Sequence, residues 1–241
     1  MVTRDGLLGE WLFDDNDTTG TVVDTSGNGY NGVNVNGVFS SDTPRGTGTS
    51  LDFSGGTNYA WVSDSGSETT FSFDQTGDAF TVALWTKRLP ASDWHSLVSK
   101  RGESDGGWKL AKNSSANLYL YTDDTTGDSS PQTRAEHNMS NVAWRHVAVV
   151  HGYQGTKQRF YVDGILVSES TRGGKIGSSN GRVLGFGVRD NGTSNGNISA
   201  GNQARAHIDE VRIYNRALES YEIAAMSIQS NKLIAYVDTP Y

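Results

Sequence analysis

The sequence predicts an all-β fold: two packed antiparallel sheets with one short helix near the C-terminus. Three observations lead there. Glycine supplies 29 of the 241 residues and hydrophobic residues only 35%, which favours short strands and many turns over long helices. Strand-like runs recur along the chain with turn residues between them. A single late segment has helical spacing.

The expected strands, in order, begin with Leu7–Phe13, Ser50–Phe53, Tyr59–Val62, Phe80–Thr86, Ser96–Ser99, Trp108–Ala111 and Leu118–Thr122. Trp144–His151, Arg159–Val162, Ile165–Ser168, Val183–Val188 and His207–Tyr214 complete the set. Asp163-Gly164 between RFYV and ILV is a hairpin signal, since a two-residue turn of this kind needs residues that accept positive φ. In NLYLYTD, Leu118 and Leu120 alternate with Tyr119 and Tyr121, so one pair enters the core and the tyrosines face out. The stretches Asp123–Met139 and Asp190–Ala204 are long and polar and read as loops. In RALESYEIAAM, Leu218, Tyr221, Ile223 and Met226 fall near helical spacing, with Ser220 as the N-cap. No linker or composition shift divides the chain, so residues 1–241 read as one domain, with 227–241 an extra strand or a linker.

Composition narrows the function. The net charge of −7 repels a phosphate backbone, so nucleic acid is not expected as a partner. With no cysteine there is neither disulfide nor thiolate chemistry. No apolar run reaches the length of a membrane span, so membrane insertion is not expected. The start, MVTRDGLLGEW, lacks the apolar core of a signal peptide: either none exists or the sequence begins after it.

Several motifs fail for want of structural context. Gly27-Asn-Gly29-Tyr-Asn-Gly32 satisfies GxGxxG, but the following VNVNGVF alternates like a strand, whereas dinucleotide binding needs a helix there. Gly177-Ser-Ser179-Asn-Gly181 satisfies GxSxG, yet RVLGFGV follows, another strand where a nucleophile elbow needs a helix. Asp15-Asn-Asp17-Thr-Thr-Gly20 resembles a calcium loop, but Ser26 stands where its bidentate glutamate belongs. None of the five histidines has zinc-ligand spacing, and His146 and His151 read as structural.

The ordered segments GLLGEWLFDD, DTSGNGYNG, SLDFSGG, FTVALWTK, WRHVAVVH, RFYVDGILV and IDEVRIYNRALESYEI, from Gly6 to about Ala225, resemble the laminin G-like jelly-roll domains. These belong to the concanavalin A-like lectin/glucanase superfamily. The resemblance implies a jelly-roll sandwich and a scaffold that hosts lectins, adhesion modules, enzyme appendages and some hydrolases. In related sandwich glycosidases a carboxylate cluster supplies acid and nucleophile; here Glu103-Ser-Asp105 runs into Gly106-Gly107-Trp108 and lacks the second glutamate.

Asp24, Asn28 and Asn31 crowd oxygens around glycine turns, and alternation in IDEVRIY puts Asp209 on the face of Val211 and Ile213. A carboxylate facing a core needs a partner or a cation. The resemblance implies that a structural calcium ion joins the two regions, through Asp24, Asn28, Asn31 and Asp209. The alternative is that Asp209 accepts backbone N–H bonds from the turn. Of the six tryptophans, Trp11, Trp85 and Trp144 lie in framework segments and read as packing; Trp61, Trp94 and Trp108 do not. Sugars stack C–H faces on aromatic rings and bond hydroxyls to polar side chains. A carbohydrate site is therefore expected from Trp94, His95, Arg101, Trp108, Tyr119 and Tyr121. Five N-x-S/T sequons, beginning at Asn16, Asn113, Asn138, Asn191 and Asn197, carry little in an Asn-rich chain.

The expected function is a non-catalytic carbohydrate-binding or adhesion module, polysaccharide-directed, extracellular or surface-displayed. One alternative is a structural or protein-interaction domain that meets neighbouring domains or particle proteins on a cell envelope or virion. The other is a polysaccharide-degrading enzyme on the same sandwich.

Overall fold

The computed structural model describes residues 2–15, 19–63, 70–75, 77–87, 94–101, 106–123, 132–135, 138–139, 142–171, 176–179, 181–190 and 203–228. Two eight-stranded antiparallel sheets pack face to face. The strands are β1 (Leu7–Trp11), β2 (Thr21–Val22), β3 (Gly32–Val35), β4 (Val38–Ser40), β5 (Ser50–Asp52), β6 (Tyr59–Val62), β7 (Phe80–Lys87) and β8 (His95–Arg101). They continue with β9 (Gly107–Lys112), β10 (Leu118–Asp123), β11 (Gln132–Ala135), β12 (Arg145–Tyr153), β13 (Lys157–Val162), β14 (Ile165–Thr171), β15 (Leu184–Phe186) and β16 (His207–Tyr214). A helix, α1 (Ser220–Met226), follows. The first sheet runs β14-β13-β12-β7-β16-β5-β4, with β1 also on β16; the second runs β11-β10-β9-β8-β15-β6-β3-β2.

Each of the twelve expected strands has a counterpart. The Asp163-Gly164 turn forms as expected, with φ of 50° and 79°, joining paired Val162 and Ile165. Strand β11 lies inside the stretch read as a loop. Gln-Thr-Arg-Ala has little apolar signal of its own, and its pairing with β10 supplies the order. The loop expected after Asp190 and the tail after Ile228 lie mostly outside the described residues.

The main core fills the space between the sheets. Trp11, Phe53, Phe80, Trp108, Phe160 and Phe186 are all fully buried there. The helix packs on the opposite side of the first sheet, where Leu218, Ile223 and Met226 cover Ala83, Ala148, Tyr161 and Tyr214. Two details of the helix differ from expectation. Glu219 is its N-cap: the Glu222 carboxylate accepts the Glu219 N–H at 2.9 Å, while Ser220 hydrogen-bonds Tyr161 Oη at 3.0 Å. Tyr221 is 73% exposed, so the apolar stripe is made by the other three residues.

The glycine motifs are accounted for by backbone. Gly27 and Gly29 have φ of 96° and 84°, and a Cβ at Gly32 would stand 2.5 Å from the Trp61 carbonyl oxygen. Ser179 is buried and donates to Ser72 Oγ at 3.1 Å, with β15 and no helix after it. Glu103 and Asp105 lie outside the described residues.

Candidate functional site

Strands β9 and β10 build the candidate site by alternation. Their register sets Trp108 opposite Thr122 and Leu110 opposite Leu120, with Leu118 two residues away on the same face. Trp108, Leu110, Leu118 and Leu120 are fully buried between the sheets. Lys109 stands opposite Tyr121 and Ala111 opposite Tyr119, so these four side chains share the outer face of the second sheet.

Trp94, just before β8, packs onto that face. Its ring lies 5.3 Å from Tyr119, edge to face, and 5.7 Å from Tyr121, tilted, and the two tyrosine rings stack 6.0 Å apart. Such offsets are the favoured geometry for aromatic clusters. Lys109 Nζ sits 4.4 Å from the Tyr121 ring centre and Arg101 Cζ 5.6 Å from it, close enough for cation–π attraction. Asn113 Nδ2 donates to Tyr119 Oη at 3.2 Å and holds that hydroxyl in place. Tyr119 and Tyr121 are 7% and 9% exposed, and Trp94 is the half-buried member of the cluster. Along the same face, register leads from Tyr121 through Lys109, Ser99 and Gly185 to Trp61. Four strand steps separate the two ends, roughly 19 Å.

Four of the six expected ligand residues therefore meet: Trp94, Arg101, Tyr119 and Tyr121. The other two do not. Trp108 packs against the stacked rings of Phe73 and Phe80 in the core, and its Nε1 donates to the Phe71 carbonyl at 2.7 Å. His95 is buried, with Nδ1 2.7 Å from the Gln203 carbonyl oxygen. Lys109 and Asn113 were missed. Strand parity with Tyr121 would have found Lys109; nothing in the sequence points to Asn113.

The expected calcium ligands do not assemble as one set. The Asp24 carboxylate accepts N–H bonds from Glu10, Ser26 and Tyr30 at 2.9–3.0 Å and the Ser26 hydroxyl at 2.8 Å. Asn31 Oδ1 accepts the Asp24 N–H at 2.9 Å, and the Asn28 amide donates to the Leu7 and Leu8 carbonyls. These oxygens already face donors, so they do not fit a cation cradle. Asp209 lies elsewhere. A β-bulge between Asp209 and Arg212, with Glu210 at φ 49°, resets the alternation of β16. Asp209 pairs with Trp85 and Arg212 with Ala83, so Asp209 shares the helix-side face while Val211 and Ile213 enter the core. Asp209 Oδ1 accepts the N–H of its neighbour Glu210 at 2.7 Å and not one from the Asp24 turn, and among the described residues the buried Oδ2 has no hydrogen-bond partner. Burial, then the charge of Glu210, pushes its carboxyl up to about 8.

A chain of charges spans the same face. Arg212 donates from Nε to Glu10 and from Nη1 to Glu210, both at 2.8 Å. Glu10 also meets Arg4 at 3.3 Å, and Glu210 meets Arg45 at 2.7 Å. Burial works against the Glu10 charge, but Arg212, Thr25 and Arg4 together hold its carboxyl below the usual range. Held ionised between arginines, Glu10 is unsuited to proton donation.

Solved structures share the fold. The binding domain of Paraclostridial Mosquitocidal Protein 1 superposes with a TM-score of 0.68 at 19% identity, over 93% of this chain and 52% of that one. The receptor binding domain of botulinum neurotoxin D gives 0.66 at 16% identity, over 93% and 52%. The present chain thus spans about half the length of these toxin binding domains. Domain 4 of AbnA, a GH43 extracellular arabinanase from Geobacillus stearothermophilus in complex with arabinotriose, gives 0.68 at 16% identity, over 92% and 98%. A search of curated protein sequences finds no significant match. The Laminin_G_3 family model, described as Concanavalin A-like lectin/glucanases superfamily, matches residues 54–224. On that match, together with the two-sheet jelly roll, the chain belongs to the Laminin_G_3 family of the concanavalin A-like lectin/glucanases superfamily.

Proposed function

We propose that this protein is a non-catalytic carbohydrate-binding or adhesion module, directed at polysaccharide and working outside the cell or on its surface. The observation that carries this reading is the Trp94–Tyr119–Tyr121 cluster on the outer face of the second sheet, flanked by Lys109 and Arg101. Indole and phenol rings supply C–H stacking surface, and Trp94, the half-buried member of the cluster, is the ring most open to a ligand. The jelly-roll relatives support it: several are binding domains, and the arabinanase domain of nearly matching length holds arabinotriose.

Protein recognition is the second reading. The similar binding domain of botulinum neurotoxin DC, at 15% identity and matched over 52% of its length, is found in complex with rat synaptotagmin II, which supports this reading. A glycan array separates the two. The expected result is selective retention on a few polysaccharide-derived glycans, lost in Trp94→Ala. Absence of glycan retention by the folded wild type would refute the carbohydrate reading.

A further inference from the structure

The first sheet carries a cleft far from the aromatic cluster just described. It has a volume of about 790 Å³ and is walled by Thr43, Pro44 and Gly46 on one side and by the helix end at Ser227 and Ile228 on another. That volume lies within the usual range of small-ligand sites. Trp85 and Trp144 line it together with Lys87, Arg145 and Asp163.

The indole of Trp144 is half-buried and fixed in orientation, because Nε1 donates to Asp42 Oδ1 at 2.9 Å. Lys87 Nζ reaches the same carboxylate, 2.8 and 2.6 Å from its two oxygens. Across the cleft Arg145 pairs with Asp163. Lys87, Arg145 and Asp163 line the cleft and Asp42 lies against the indole Nε1 and Lys87, so each cation has a carboxylate partner and the indole is bordered by both donors and acceptors. Trp85 is 3% exposed; its ring is steadied by the edge of His146, 5.3 Å away. On the same face, His146 and Asp209 flank Trp85 in register. His146 is 1% exposed, and among the described residues neither of its ring nitrogens nor Asp209 Oδ2 has a hydrogen-bond partner.

We propose that this cleft is a second ligand site and that its ligand is a neutral oligosaccharide. A held indole presents a flat apolar surface to the C–H face of a sugar ring. Balanced carboxylate and cation pairs at its edges suit hydroxyls, which both donate and accept, and give no attraction to a polyanion. The proposal shares its ligand class with the glycan-binding reading above, but none of its residues. Binding on both sheets would let one module bridge two glycan chains and gain avidity.

The test follows the six tryptophan indole N–H signals by NMR while wild-type protein is titrated with arabinotriose, cellotriose and mannotriose. The expected result is that the Trp144 signal moves with one of these sugars, that Trp144→Ala abolishes this event, and that Trp144→Phe weakens it about tenfold. Trp94→Ala should leave the Trp144 response intact. A Trp144 signal unmoved at saturating concentrations of all three sugars overturns the proposal. So does a Trp144 signal that ignores sugars yet moves with an apolar dye, which would assign the cleft to an apolar partner. Movement of Trp94 without Trp144 sinks the cleft and keeps the first site. Movement of Trp144 without Trp94 does the reverse. Because the primary readout is on wild-type protein, a folding defect in either variant leaves it intact.

Discussion

Replacing Arg212 by methionine isolates the charge chain that ties β1 to β16. Arg212 is 5% exposed and bridges Glu10 and Glu210, which are 5% and 6% exposed, with contacts of 2.8 Å to each. Methionine keeps much of the apolar stem and removes the fork of donors. Two buried carboxylates then remain, Glu10 facing the largely exposed Arg4 and the Thr25 hydroxyl, and Glu210 facing Arg45. Breaking a buried pair by removing one partner costs about 3–5 kcal/mol. The surviving arginines argue for the lower part of that range, so a loss of about 3 kcal/mol is expected at pH 7. Substituting Glu10→Gln and Glu210→Gln alongside Arg212→Met removes the stranded charges and should restore most of the loss. The sign with pH is also defined. Glu10 is held below its ordinary value of 4.5, so its stabilising contribution is present above that pH and fades as pH falls through the lowered value. The gap between wild type and Arg212→Met should therefore narrow in acid. Urea unfolding followed by tryptophan fluorescence measures all three proteins. A single-variant loss below about 1 kcal/mol, or a triple variant less stable than the single, would refute the reasoning.

Three further outcomes are expected. For Asp209 the raised carboxyl means that the folded chain keeps a proton which the unfolded chain releases between 3.8 and about 8. Stability attributable to this group then falls as pH rises through that window, by up to about 1.4 kcal/mol per pH unit. Asp209→Asn removes the slope, so its advantage over wild type should grow from pH 4 to 8; a pH-independent gap in denaturant unfolding contradicts this. Asp24→Ala strands three backbone N–H groups and should lower stability by about 3 kcal/mol. Because the Asp24 oxygens already accept these donors, a chelator is expected to leave the wild-type melting temperature unchanged, and a chelator-induced fall would return a cation to the turn. Trp108→Ala should cost about 3–5 kcal/mol by opening the core; a stable variant that merely lost glycan retention would instead place Trp108 in the binding face.

Periodicity in the sequence carried most of the fold, because strand alternation and turn chemistry act locally. Phe80–Lys87 and His207–Tyr214 are apolar enough to declare themselves, and Asp163-Gly164 declares its own turn. What escaped depends on partners distant in sequence. Strand β11 is a strand because β10 lies beside it, and β2 is two residues held by β3. Parity worked for Tyr119 and Tyr121, and applied consistently it would have sent Trp108 inward with Leu110. At Asp209 parity failed because one bulge inserts a residue, and no residue type in HIDEVRIY announces it. The cleft at Trp144 was illegible for the same reason: Asp42, Lys87 and Trp144 meet only across 102 positions of chain.

The most direct measurement compares wild type and Trp94→Ala by isothermal titration calorimetry against the strongest glycan from the array, with melting temperatures recorded for both. Loss of the ring that caps Tyr119 and Tyr121 should weaken binding about tenfold, equivalent to about 1.4 kcal/mol, while the melting temperature stays within a few degrees. Unchanged affinity in a folded Trp94→Ala protein would contradict the assignment of glycan binding to the outer face of the second sheet.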